Sequence, residues 1–129
     1  MLAVDTNVIV RYLTGDDGEQ FAQVNALIRG EDVYVYTTVL LEIEWVLRRA
    51  YRFSRARVVA ALVAFAGLPR VTLEDPASVA KAFDWTQRGM DFADALHLAK
   101  AAGCDASVSF DQRLISVADA FGDVKVRLP

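Results

Sequence analysis

The sequence predicts an α/β domain, a three-layer α/β/α arrangement around a central, mainly parallel sheet. Short apolar, β-branched runs alternate with longer stretches of helical periodicity along the 129 residues. Strands separated by helices in this way pair in parallel, through right-handed crossovers. Acids and hydroxyl residues stand where the strands end and the helices begin, the edge at which open α/β sheets bind ligands.

Leu2-Ala-Val4 reads as a short buried strand. Asp5 and Thr6 are candidate caps for a helix over about 7–13, the capping falling chiefly to Thr6. Thr14-Gly-Asp-Asp-Gly18 is a turn, and a helix over about 19–29 follows, with Phe21, Val24, Leu27 and Ile28 at apolar spacing and Gly30 ending it. Val33-Tyr-Val-Tyr36 has strand composition. Thr37 or Thr38 caps a helix over about 38–51, and Ser54 caps another over about 55–66, broken by Gly67-Leu-Pro69. Val71-Thr-Leu73 reads as the third strand. Asp75-Pro-Ala starts a helix that runs to about Arg88, with Pro at its first position and Gly89 closing it. Asp91 to Ala102 is a further helix, Ala106 to Phe110 a strand, and Asp111 opens a helix to about Phe121. Gly122-Asp123 turns into a last strand, Val124-Lys-Val126. No internal repeat or linker interrupts the pattern, so one domain over 1–129 is expected.

Composition narrows the class. Hydrophobic residues make up 54% of the chain, yet no apolar run reaches the roughly 20 residues of a membrane helix. The apolar surplus suits a partner surface, so an oligomer or complex is expected, with no membrane. The start carries no basic region before an apolar stretch, as a secretory signal would, and the single Cys104 has no disulfide partner within the chain. Cys104 reads as a small buried filler, and the expected location is cytoplasmic. A net charge of −3 argues against a general nucleic-acid coating protein, but Arg48, Arg49, Arg52, Arg55 and Arg57 form one basic stretch.

The acids carry the functional argument. Asp5 follows the first strand and Asp111 the fourth, Glu42 falls in the first turn or so of the helix after the second strand, and Asp94 in the first turn of the helix from Asp91. A parallel sheet allows all four carboxylates to face one cleft. Crowded carboxylates repel and raise at least one pKa unless a cation neutralises them. Oxygen ligands without His or Cys suit Mg²⁺ or Mn²⁺, which serve hydrolysis or transfer at phosphoryl groups. Taken singly, Asp5, Asp94 and Asp111 are equally compatible with helix capping.

Four segments extend this reading: Leu2-Ala-Val-Asp-Thr-Asn-Val-Ile-Val10, Thr38-Val-Leu-Leu-Glu-Ile-Glu-Trp-Val46, Asp91-Phe-Ala-Asp-Ala-Leu-His-Leu-Ala99 and Val108-Ser-Phe-Asp-Gln-Arg-Leu114. In content and order they resemble PIN-domain ribonucleases, specifically VapC-like toxins of bacterial type II toxin–antitoxin pairs. The resemblance implies a Mg²⁺- or Mn²⁺-dependent endoribonuclease. By it, Asp5, Glu42, Asp94 and Asp111 match the acidic quartet, with Asp5, Asp94 and Asp111 as metal ligands. Thr6 and Asn7 match polar groups behind the first acid. Asp91, three residues before Asp94, is expected to support the site. Ser109 stands where the family often has Thr. The resemblance also implies an RNA substrate, a VapB-like antitoxin and a homodimer.

Other residues have plainer readings. Arg48, Arg49, Arg52 and Arg113 are candidate contacts to RNA phosphates. His97 is expected to pack or make an ordinary hydrogen bond, Trp45 and Trp85 to lie in the core or an interface, and Glu44 to be solvated. The helices over 38–51 and 55–66 are expected to leave an apolar face for an antitoxin segment. Rival classes fit less well. An aspartate phosphatase wants an acid where Asn7 stands, and a phospho-receiver domain wants an acidic pair beside the first strand, whereas Asp16-Asp17 is remote. A non-catalytic PIN-like or receiver-like interaction domain is the alternative, opposed by the complete quartet.

Overall fold

The structure, a computed structural model, describes residues 1–121 and 124–129; the predicted turn at Gly122-Asp123 lies outside the described residues. The chain divides into two compact units, Met1–Pro76 and Ala77–Pro129.

The first unit holds strands β1 (Leu2–Ala3), β2 (Val33–Val35) and β3 (Val71–Leu73) in a parallel sheet of that order. Leu2 pairs with Val33, and Val33 in turn with Val71. Helices α1 (Thr6–Thr14) and α2 (Gly18–Gly30) connect β1 to β2, and α3 (Thr37–Arg49) and α4 (Arg55–Ala66) connect β2 to β3. α1 packs against α2 and α3, and α3 against α4. Ile9, Ile28, Val33, Val35, Leu40, Ile43, Leu47, Leu62 and Phe65 are all buried between them. Each large aliphatic side chain so buried contributes roughly 1.5–3 kcal/mol.

Local chemistry sets the helix boundaries. Asp17 accepts from the Gln20 amide at 3.0 Å to start α2, and Ser54 accepts from the Arg57 amide at 3.2 Å to start α4. Gly15 closes α1 at φ +61°. Arg52 takes φ +57° in the α3–α4 connection, a setting that glycine adopts far more easily. The turn after α1 is tied to the end of α3: Asp16 accepts from Arg11 at 3.1 Å, from Tyr51 at 2.8 Å and from Thr14 at 2.9 Å. The Tyr51 and Thr14 hydroxyls, with Arg11, hold its carboxyl below the usual aspartate range.

The second unit holds α5 (Pro76–Gln87, whose first residue closes the first unit), α6 (Phe92–Lys100), α7 (Gln112–Phe121), and the parallel strands β4 (Ser107–Val108) and β5 (Val126–Arg127). Stacked ring pairs Phe83–Phe92 and Trp85–Phe121, with centroids 5.9 and 6.2 Å apart, anchor its interior. Among the described residues no helix is long and apolar enough to cross a membrane.

The structure corrects several expectations. β1 is an edge strand, and Leu2 and Ala3 are exposed where a buried strand was expected; only Val4 is covered. Neither Thr37 nor Thr38 caps α3: Tyr36 occupies that position and its side chain makes no capping bond. The last strand lies at 126–127, beginning two residues and ending one residue later than expected. Cys104 is exposed, because it follows α6 in a turn and not on a packed face. Trp85 lies in the core as expected, while Trp45 is 55% exposed, outside the core.

Candidate active site

In the first unit one threonine joins two acids. β1 ends at Ala3, Val4 follows, and Asp5 is the N-cap of α1, accepting from the Thr6 amide at 2.7 Å. The cap therefore belongs to Asp5 and not chiefly to Thr6. Thr6 is buried, and its hydroxyl donates to Glu42 Oε1. Glu42 is the sixth residue of α3, just past its first turn, and is itself exposed. Thr6 thus presents its backbone N–H to one acid and its side-chain O–H to the other, so a single buried residue donates to both carboxylates. Asn7 is exposed on the next position of α1.

In the second unit Asp94 feels the charges of two other acids. Asp91 is the N-cap of α6 and accepts from the Asp94 amide at 3.3 Å. Asp94 lies one turn on and is partly buried. Burial pushes its carboxyl above the usual aspartate range; the charges of Asp91 and Asp111 push it further, and His97 pulls the other way. Asp111 follows β4 and accepts from the Leu114 amide at 3.1 Å, opening α7. Ser109 accepts from the Asp111 backbone amide at 3.0 Å, so its hydroxyl serves the acid's main chain and not its carboxylate.

The remaining predicted residues fall as follows. His97 is exposed and does not pack in the core. Glu44 is buried and receives Arg48 Nε at 2.5 Å, which corrects the solvated reading. Arg49 lies 6.0 Å over the Trp45 ring, and Arg52 and Arg113 are exposed. Glu74 was not anticipated: its carboxylate accepts from both the Thr37 amide, at 3.0 Å, and the Thr37 hydroxyl, at 2.8 Å. The signal was available in the register, since pairing Val35 with Leu73 sets residue 74 beside the start of α3.

The donor chemistry suits a hard divalent cation: carboxylates and hydroxyls, with the only histidine exposed. Among the described residues no lysine or arginine is ion-paired with Asp5, Glu42, Asp91, Asp94 or Asp111. Neither unit by itself gathers three His, Cys, Asp or Glu side chains at metal-binding spacing among the described residues.

No curated protein matches the chain. Among solved structures it is similar to Mycobacterium tuberculosis VapC20, described as a sarcin-ricin loop cleaving toxin, at 23% identity and a TM-score of 0.43 over 98% of this chain and 99% of that one. The sequence model of the PIN domain matches residues 2–120, a span that takes in Asp5, Glu42, Asp94 and Asp111 alike. A match over nearly the whole length settles the family, and the chain belongs to the PIN-domain proteins.

Proposed function

We infer that this protein is a metal-dependent endoribonuclease, the toxin half of a VapBC-like toxin–antitoxin module acting in the cytoplasm. The observation that carries the reading is the family match over residues 2–120, which takes in Asp5, Glu42, Asp94 and Asp111; beside it, Asp94 feels the charges of Asp91 and Asp111, and none of the ion pairs among the described residues involves these acids. The family match spans both compact units, which supports treating residues 1–129 as one functional domain.

On this reading Asp5, Asp94 and Asp111 hold a Mg²⁺ or Mn²⁺ ion, and Glu42 completes the catalytic set. The chemistry the ion supplies when bound is positive charge at the phosphodiester and a more acidic water. The chain's own residues supply the preorganisation. The Thr6 amide and hydroxyl hold Asp5 and Glu42 in fixed rotamers. Asp91 accepts from the Asp94 amide, and Ser109 anchors the backbone of Asp111. Arg49, Arg52 and Arg113 meet RNA phosphates, while Arg48 is largely engaged by Glu44. A groove of about 480 Å³ between α1, α2 and α4, lined by Tyr12, Phe21, Ala61, Ala64 and Phe65 with Arg29 at its wall, suits an apolar antitoxin segment. The functional form is a homodimer.

Incubating total cellular RNA with the protein, with and without EDTA, tests the reading. Discrete cleavage sites are expected only with the divalent ion, and Asp5→Ala should remove them while leaving the fold intact. Cleavage that persists in both Asp5→Ala and Asp94→Ala would sink the mechanism.

A further inference from the structure

We propose that Glu74 is a positioning residue for the cleavage reaction: its carboxylate fixes the start of α3 and so sets Glu42 against Thr6, a role that rests on the nuclease reading above. α3 lacks a cap of its own, because the Tyr36 side chain makes no capping bond. The helix begins instead on a carboxylate from another strand. Glu74 Oε1 accepts two bonds from buried Thr37, one from the amide and one from the hydroxyl.

Glu74 is itself held firmly. Its amide donates to the Val35 carbonyl at 2.9 Å, continuing the β2–β3 ladder one residue past Leu73. Asp75 then turns the chain at φ +51°. The carboxylate is thus pinned by sheet pairing on one side and meets the positive end of α3 on the other. From there the path is short. Thr37 starts α3, Glu42 lies five residues along it, and Glu42 receives the hydroxyl of Thr6, whose amide holds Asp5. A helix is stiff along its axis, so fixing its first residue fixes the height of its sixth. Glu74 touches neither acid; it acts through the placement of α3.

The test compares Glu74→Ala, Glu74→Gln and Asp17→Ala, the last removing the cap of α2 as a control for helix-end destabilisation. Glu74→Ala is expected to lower kcat by about tenfold or more, as loss of an outer supporting partner does, with KM for RNA unchanged. Glu74→Gln keeps the acceptor oxygen and should restore most of the rate, and Asp17→Ala should cleave as the wild type does. The amide resonance of Thr6, remote in sequence from every substitution, should move in Glu74→Ala and stay in place in Glu74→Gln and Asp17→Ala. The proposal is overturned if Glu74→Ala keeps the wild-type rate, if Glu74→Gln is equally impaired, or if Asp17→Ala loses as much. Should the wild type cleave no RNA, the nuclease reading fails, and the Thr6 amide alone decides whether Glu74 positions α3. Should Glu74→Ala not fold, Thr37→Val removes one of the two donors, and an unmoved Thr6 amide there overturns the proposal.

Discussion

Asp5 and Glu42 are held by hydrogen-bond donors, whereas Asp94 is held among acids. In the first unit a single threonine donates one hydrogen bond to each carboxylate, which orients both before any ligand arrives. In the second, Asp94 is partly buried beside Asp91 and Asp111, and its charged form is disfavoured. The contrast separates two requirements of an acidic site. On the proposed reading the first unit supplies fixed direction, and the second supplies unbalanced negative charge that a cation would relieve.

The largest effect should come from breaking the charged half. Asp94→Asn is expected to abolish RNA cleavage, yet thermal unfolding should occur at the same or a higher temperature at neutral pH, because an unfavourable charge has gone. A variant that both loses activity and melts much earlier would show that Asp94 is structural. Breaking the directed half should cost less. Thr6→Val keeps the shape and removes the hydroxyl, so cleavage should fall by roughly 10- to 100-fold. Stability should fall by about 1 kcal/mol, read from denaturant unfolding.

The pH dependence sharpens the contrast through its sign. Asp94 has a folded pKa above its unfolded value, so its contribution to stability is complete below the unfolded pKa and is lost as pH rises through the folded one. Asp16 is the reverse: its contribution is present above the unfolded pKa and is lost as pH falls through the lowered folded one. Unfolding curves of Asp94→Asn and Asp16→Asn against pH should therefore depart from the wild type in opposite senses, and matching departures would refute the comparison. The smallest effect is expected at the surface. Arg113→Ala should weaken RNA binding a few-fold and reduce the slope of log affinity against log salt by about one. An unchanged slope would place Arg113 off the RNA path.

Much of this was legible in the chain. Asp5 and Asp111 follow apolar runs directly, so their place at strand ends needs only the alternation of strand and helix. Asp91 and Asp94 share a helix start, which their spacing alone reveals. The rest depended on tertiary facts. Whether Glu42 or Glu44 turned inward hinged on the rotation of α3, although Arg48 four residues after Glu44 was a sign of a paired glutamate. Glu74 had no local pattern, since a cap supplied across the sheet follows from strand register and not from neighbours in sequence. β1 was misjudged because an apolar dipeptide looks the same at an edge as at a centre.

One backbone angle bears on how this protein would be engineered. Arg52 sits at φ +57° between α3 and α4, where a non-glycine residue gives up about 1 kcal/mol. Replacing it with glycine should make the chain tougher to heat while removing a positive charge from the corner where RNA is proposed to pass. Robustness and grip then pull against each other at one residue. A variant library scored only for thermal endurance would drift toward weaker hold on its substrate without any change to an acid.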